Sequence, residues 1–282
     1  MSRLLRSRYT LLLGALLLLT AALPAAAVLV DATPAAAAPT LDHFQCYFAQ
    51  SVPMPSGAPS FPMTPPAVLM NKSPSATFLP TPGIIAGVTN LFLHCNPVQK
   101  TVGSITTPIA NPATHLECRS INAGGSGLVP TSPVQFHNQF GTGALQFGKP
   151  IGLCLPSWKS LPTANLPPTT APTNIDHFTC FSVTSPAGVP HFTPPASATL
   201  TDQFFTHTTT IGTPNLLCSP TSKVIVPPTG TPIVNPNHYL VCFVIPASTA
   251  FSPLVVFAKN QFGTGAVTVI ANRELCVPSL LG

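Results

Sequence analysis

KNQFGTGAVTVIANRELCVP, residues 259–278, is the stretch from which the fold is read, because its spacing recurs along the chain. Phe262 precedes Cys276 by 14 residues, and the same separation joins Phe140 to Cys154 in HNQFGTGALQFGKPIGLCLP and Phe204 to Cys218 in TDQFFTHTTTIGTPNLLCSP. Residues 254–257 form a strand candidate, the region of Gly263 and Gly265 a turn, and 266–270 a second strand rich in β-branched residues. Together they read as a hairpin whose glycines supply positive φ. HYLVCFVI, 238–245, is a third strand with a central cysteine, and ELCVP ends in a short fourth. After residue 40 no window keeps a helical apolar period with caps at its ends. The fold class is therefore all-β, as two tandem disulfide-braced units of sandwich or barrel form, each with about seven to nine strands.

Longer repeats set the organisation. LDHFQCYF at 41–48 recurs as IDHFTCFS at 175–182, NPATHLEC at 111–118 as NPNHYLVC at 235–242, and NQFGTG at 138–143 as the same six letters at 260–265. This gives a unit at 40–159, a Pro/Thr linker at 160–173 and a second unit at 174–282. Each unit reads as an internal duplication, with half-units at 42–97, 115–156, 176–220 and 239–278. The first is longer and degenerate, its turn represented by Asn71 and Lys72.

The eight cysteines are Cys46, Cys95, Cys118, Cys154, Cys180, Cys218, Cys242 and Cys276, at repeating spacings with no close C-x-x-C pair. They read as four structural disulfides of an exported chain, not as a zinc site. Closure within each half-unit is preferred, because a half-unit duplicated with its own bridge needs no rewiring; four cysteines per unit still allow three connectivities. Each such loop stabilises by about 4 kcal/mol at most in the chain-entropy model.

Residues 1–38 begin with Arg3, Arg6 and Arg8 and continue through an apolar run into an Ala-rich flank, the parts of an export signal, with cleavage fitting after Ala27 or Ala38. The alternative is a retained anchor; no second run of that length follows, so no membrane span is expected after cleavage. Removing Arg3, Arg6, Arg8 and Asp31 leaves eight basic against five acidic residues, which is no polybasic patch and excludes the electrostatic footprint of a nucleic-acid binder. Charged residues are 6% of the chain while Pro numbers 36, so surface solubility falls to hydroxyls and turns.

Candidate chemistry is sparse. Asp42-His43 and Asp176-His177 place an acid beside a base, but strand neighbours point to opposite faces. The plainer expectation is that each Asp binds backbone at a strand entrance and each His packs beside the aromatic. The remaining carboxylates are Asp202, Glu117 and Glu274, and Glu117 is matched by Val241 in the second unit, so no glycosidase pair repeats. No calcium loop, HExxH, G-x-S-x-G or phosphate-binding glycine motif occurs, GGSGL at 124–128 being a plain turn. No catalytic residue, metal ligand or cofactor is assigned. Asn71-Lys72-Ser73 fits a glycosylation acceptor but is followed by proline.

The turns Gln139-Phe140, Gln203-Phe204 and Gln261-Phe262 carry the one ligand-contact alternative, since an aromatic beside an amide can stack on and hydrogen-bond a sugar. Against it, a Phe at fixed distance from a cysteine reads as core beside the disulfide.

The joint pattern of DHFQCY at 42–47, DHFTCF at 176–181, NPATHLEC at 111–118, two NQFGTG runs, and LCLPS and LCVPS at 153–157 and 275–279 resembles an uncharacterised family of secreted, mostly bacterial domains. The chain departs from it in the first half-unit and in Phe205, which replaces a glycine. The resemblance implies an extracellular or cell-envelope module without an assigned activity. Non-enzymatic structural or interaction work is the first expectation, with a cell-surface polymer or protein as partner. Carbohydrate or peptide binding through the aromatic turns is the second, and a hydrolase with an unrecognised site the last.

Overall fold

On both sides of the protein's cysteines, successive residues alternate between a common interior and an outer face, and those two apart share a face, as strands with period 2 require. The computed structural model describes residues 41–53, 67–71, 84–123, 132–161, 170, 172–225 and 229–282. The export segment, Lys72 and Ser73, GGSGL and most of the linker lie outside these residues. Residues Pro39–Gly282 form one compact unit.

The described strands are β1 (Phe44–Val52), β2 (Ala67–Asn71), β3 (Ile84–Pro97), β4 (Gln99–Val102), β5 (Ile105–Thr107), β6 (His115–Ala123), β7 (Val134–Asn138) and β8 (Gly141–Ser160) from the first half. The second half supplies β9 (His177–Thr184), β10 (Ser197–Thr201), β11 (Thr206–Thr210), β12 (Pro214–Ile225), β13 (Thr229–Thr231), β14 (Tyr239–Val244), β15 (Leu254–Asn260) and β16 (Gly263–Leu281). The chain is all-β over these residues. Eight of the strands close a ring by antiparallel pairing in the order β1, β3, β6, β8, β9, β12, β14, β16 and back to β1. Each half contributes four staves, and the β8–β9 and β16–β1 ladders join the halves. Residues 40–159 and 174–282 therefore complete one barrel between them. The physical reason is edge pairing: four staves leave two open edges, and the other half satisfies both.

Four disulfides, Cys46–Cys95, Cys118–Cys154, Cys180–Cys218 and Cys242–Cys276, each bridge directly opposed residues of neighbouring staves within one half-unit. All eight cysteines point into the lumen with Phe44, Leu93, Leu116, Phe178, Leu216 and Leu240. Neighbouring bridges touch, with Cys154 Sγ 3.3 Å from Cys180 Sγ and Cys46 Sγ 3.7 Å from Cys276 Sγ. The void left among them is about 10 Å³, at most the size of one water. The lumen is a packed core and has no room for a ligand.

The outer face is covered by hairpins. Phe136, Leu145 and Phe147 of β7 and β8 pack on Phe181, Leu217, Val241 and Leu275. Leu69, Ala86 and Val88 of β2 and β3 cover Ile121, Leu153 and Leu155, joined by Phe262. Val256, Ala258, Val267 and Val269 of β15 and β16 cover Tyr47 and Leu91. In the stretch that opened the sequence reading, the turn falls at Gln261-Phe262, and the two strands foreseen after it are one continuous β16. Nineteen residues stay extended because β16 pairs successively with β15, β1, β14 and β7. Gly263, at φ 128°, pairs with Asn260 directly after the turn, as Gly141 at φ 126° does with Asn138. A side chain at either position would be strained.

Candidate functional site

The three Gln-Phe turns are built alike. Asn138 Oδ1 accepts the Phe140 amide at 2.9 Å, Asp202 Oδ1 the Phe204 amide at 2.8 Å, and Asn260 Oδ1 the Phe262 amide at 2.7 Å. Such side-chain-to-backbone bonds fix a tight turn. They turn the rings inward: Phe262 is 6% exposed, and Phe140 and Phe204 are half-buried against the outer clusters. Phe262 is thereby closed off, while Phe140 and Phe204 keep part of their surface exposed. The outward parts are the glutamines, of which Gln139 donates to Thr107 Oγ1 at 2.6 Å and Gln261 Oε1 meets His177 Nε2 at 3.0 Å.

Under each ring lies a lysine that the sequence reading overlooked. Lys100 Nζ sits 4.6 Å from the centre of Phe140, Lys159 Nζ 3.9 Å from Phe204, and Lys223 Nζ 4.5 Å from Phe262. Each lysine stands five residues after the second cysteine of its half-unit, a spacing visible in the sequence, and the turn it meets belongs to the next half-unit. Burial lowers Lys100 to about 8 and both Lys159 and Lys223 to about 7.

Asp42 and Asp176 are clamps. Asp42 accepts the amides of Ala110 and Asn111 at 2.6 and 2.8 Å, and Asp176 those of Val234 and Asn235 at 2.6 and 2.7 Å. Each ties the strand entrance to the loop that begins an NP motif. His43 and His177 are buried beside them and fall to about 3, through burial first and then through Lys100 and Lys223 respectively. They stay neutral across ordinary pH. Glu274 is raised by burial and accepts from Asn215 and Arg273 at 2.8 and 3.0 Å.

Part of the outer barrel face, on β1, β3 and β6, is polar. Gln45 and Tyr47 of β1, His94 and Asn96 of β3, and His115 and Glu117 of β6 are each no more than 2% exposed. The β10–β11 turn lowers Asp202 onto them. Tyr47 OH donates to Asp202 Oδ2 at 2.6 Å, and Asn96 Nδ2 donates to the same oxygen at 3.0 Å. Lys159 Nζ donates to Asn96 Oδ1 at 2.6 Å, and His115 Nδ1 lies 3.1 Å from that oxygen. Asn260 Nδ2 donates to Glu117 Oε2. His94 Nδ1 is 3.9 Å from Glu117 Oε1, and burial holds both His94 and His115 below the usual histidine value. Acid, amide and amine thus meet under the β10–β11 turn, with Lys159 and Asp202 part-buried over a buried floor of Tyr47, His94 and Asn96. The sequence showed these residue types scattered, with no motif, because segments from all four half-units bring them together.

An open groove of about 500 Å³ is lined by the 110–114 loop, Trp158, Thr170 and residues 172–174. Trp158, the single tryptophan, is 37% exposed there. Asn111, Thr114, Thr170, Thr173 and Asn174 add amides and hydroxyls. Among the described residues, no helix is long and apolar enough to cross a membrane. No family model, curated protein or solved structure matches this chain.

Proposed function

We propose that the protein is a non-enzymatic, secreted or cell-envelope module that presents a rigid surface, in keeping with the domains its motifs resemble. The observation that carries this is the inward direction of its reactive groups. Asp42 and Asp176 are spent on backbone amides, Glu117 and Asp202 on the polar groups under the β10–β11 turn, and the lumen is filled with disulfides. Low charge and a hydroxyl-rich surface suit a protein that works outside the cell.

The Trp158 groove favours a second reading, binding of a polysaccharide or an extended peptide. An indole face flanked by amides and hydroxyls is the composition that sugar rings and proline-rich segments meet. It differs from the aromatic-turn alternative only in which aromatic does the stacking. Because Trp158 is the only tryptophan, its emission reports on the groove directly. Titration with soluble cell-wall polysaccharides and proline-rich peptides should shift that emission, and Trp158→Ala should lose pull-down on the insoluble polymer. No binding to any polymer sinks the second reading. Release of soluble fragments from a polymer sinks the first.

A further inference from the structure

We propose that Lys159 and Asn96 form an intramolecular isopeptide bond, with Asp202 as the proton-transfer group, joining β8 to β3 by a fifth covalent tie. The amine and the carboxamide are already in contact, Lys159 Nζ to Asn96 Oδ1 at 2.6 Å, and Asp202 Oδ2 holds the amide nitrogen that would leave at 3.0 Å.

The hydrogen bonds orient the amide. A carboxylate only accepts, so the group of Asn96 facing Asp202 is the NH2, and Oδ1 faces Lys159 and His115. His115, neutral through burial, then carries its proton on Nδ1 and donates to that oxygen. Attack by the neutral Lys159 amine on Asn96 Cγ forms the C–N bond, and the developing oxyanion accepts a hydrogen bond from His115 Nδ1–H, which keeps its proton. Once Nζ is bonded to Cγ it lies beside Nδ2, whose hydrogen bond to Asp202 Oδ2 at 3.0 Å brings the acid within reach of the amine proton, and that proton passes to Oδ2. The carboxyl returns it to Nδ2 as the Cγ–Nδ2 bond breaks, releasing one ammonia and regenerating the carboxylate. Nothing is oxidised or reduced, and no co-reactant is needed.

Two features of the surroundings favour the step. The Phe204 ring, 3.9 Å from Nζ, and the buried floor of Tyr47, His94 and Asn96 exclude the water that would compete. Burial also brings Lys159 down to about 7, so a sizeable share of the amine is uncharged near neutral pH.

The chain contains its own controls. Positions equivalent to Asn96 are Leu155, Ser219 and Val277; those equivalent to Lys159 are Lys100, Lys223 and Leu281; and Asp202 replaces the Asn138 and Asn260 of the other turns. The acid stands in the one turn that faces both a lysine and an asparagine. Lys100 meets the Gln139 carboxamide, but burial alone accounts for its shift and no acid contributes.

The test is mass spectrometry of the full secreted chain after denaturation and complete reduction. The wild type should be lighter by the mass of one ammonia, resist trypsin after Lys159, and yield a branched peptide joining Asn96 to Lys159. Lys159→Arg and Asp202→Asn, each checked for β-sheet circular dichroism, should carry the full mass. A wild-type chain of full mass that is cut after Lys159 overturns the bond. A bond that persists in Asp202→Asn overturns the role given to the acid.

Discussion

Replacing Lys223 by methionine should stabilise this protein, and by an amount that depends on pH. Lys223 is 0% exposed, its Nζ has no hydrogen-bond partner among the described residues, and the Phe262 face at 4.5 Å is its main attraction. Burial lowers it from 10.5 to about 7. Because the folded value lies below the unfolded one, the unfolded chain binds more protons between pH 7 and 10.5, and stability rises with pH through that window. Below pH 7 the folded lysine is charged as well, and the full penalty applies, about 5 kcal/mol for such a displacement. Methionine keeps most of the stem, removes the charge and forfeits a cation–π contact of about 1–2 kcal/mol. The expected gain for Lys223→Met is then about 3 kcal/mol at pH 6, shrinking towards zero by pH 10. Urea unfolding with the disulfides intact, at pH 6, 8 and 10, measures both the gain and its decline. A variant no more stable than wild type at pH 6, or a difference that stays constant to pH 10, would refute the reasoning and show the amine to be charged and compensated.

Two further outcomes follow from the packing and the clamps. Phe262→Ala removes a ring packed with Ile121, Leu153 and Leu155 and should cost about 3–5 kcal/mol in urea unfolding; an unchanged midpoint would place the ring outside the core. Asp42→Asn and Asp176→Asn each exchange a carboxylate holding two backbone amides for a group that can accept at only one atom. Each should cost about 2–3 kcal/mol, by nearly equal amounts because the geometry is the same in both halves. A neutral result at one site would break that equivalence.

What the sequence determined by itself was local and periodic. The recurring cysteine spacing and the short apolar runs pointed to an all-β chain braced by four disulfides and left three connectivities open per unit; the structure closes loops of 34 to 49 residues, each within a half-unit. The Asp42 and Asp176 clamps were legible as strand-entrance aspartates, whereas the Phe expected beside the disulfide lies on the outer face, with Phe262 buried there and Phe140 and Phe204 half-buried. The tertiary structure alone decided that both halves share one barrel, since a strand edge does not encode which distant edge will satisfy it. It also decided that Lys100, Lys159 and Lys223 turn inward: the order of residues shows a charged side chain five past a cysteine, while burial depends on the hairpin from the next half-unit that folds over it. The meeting of Asn96, Lys159 and Asp202 is of the same kind. Two strands and a turn far apart in the chain set those distances, and only the tertiary fold brings the amide within hydrogen-bonding reach of both the amine and the acid.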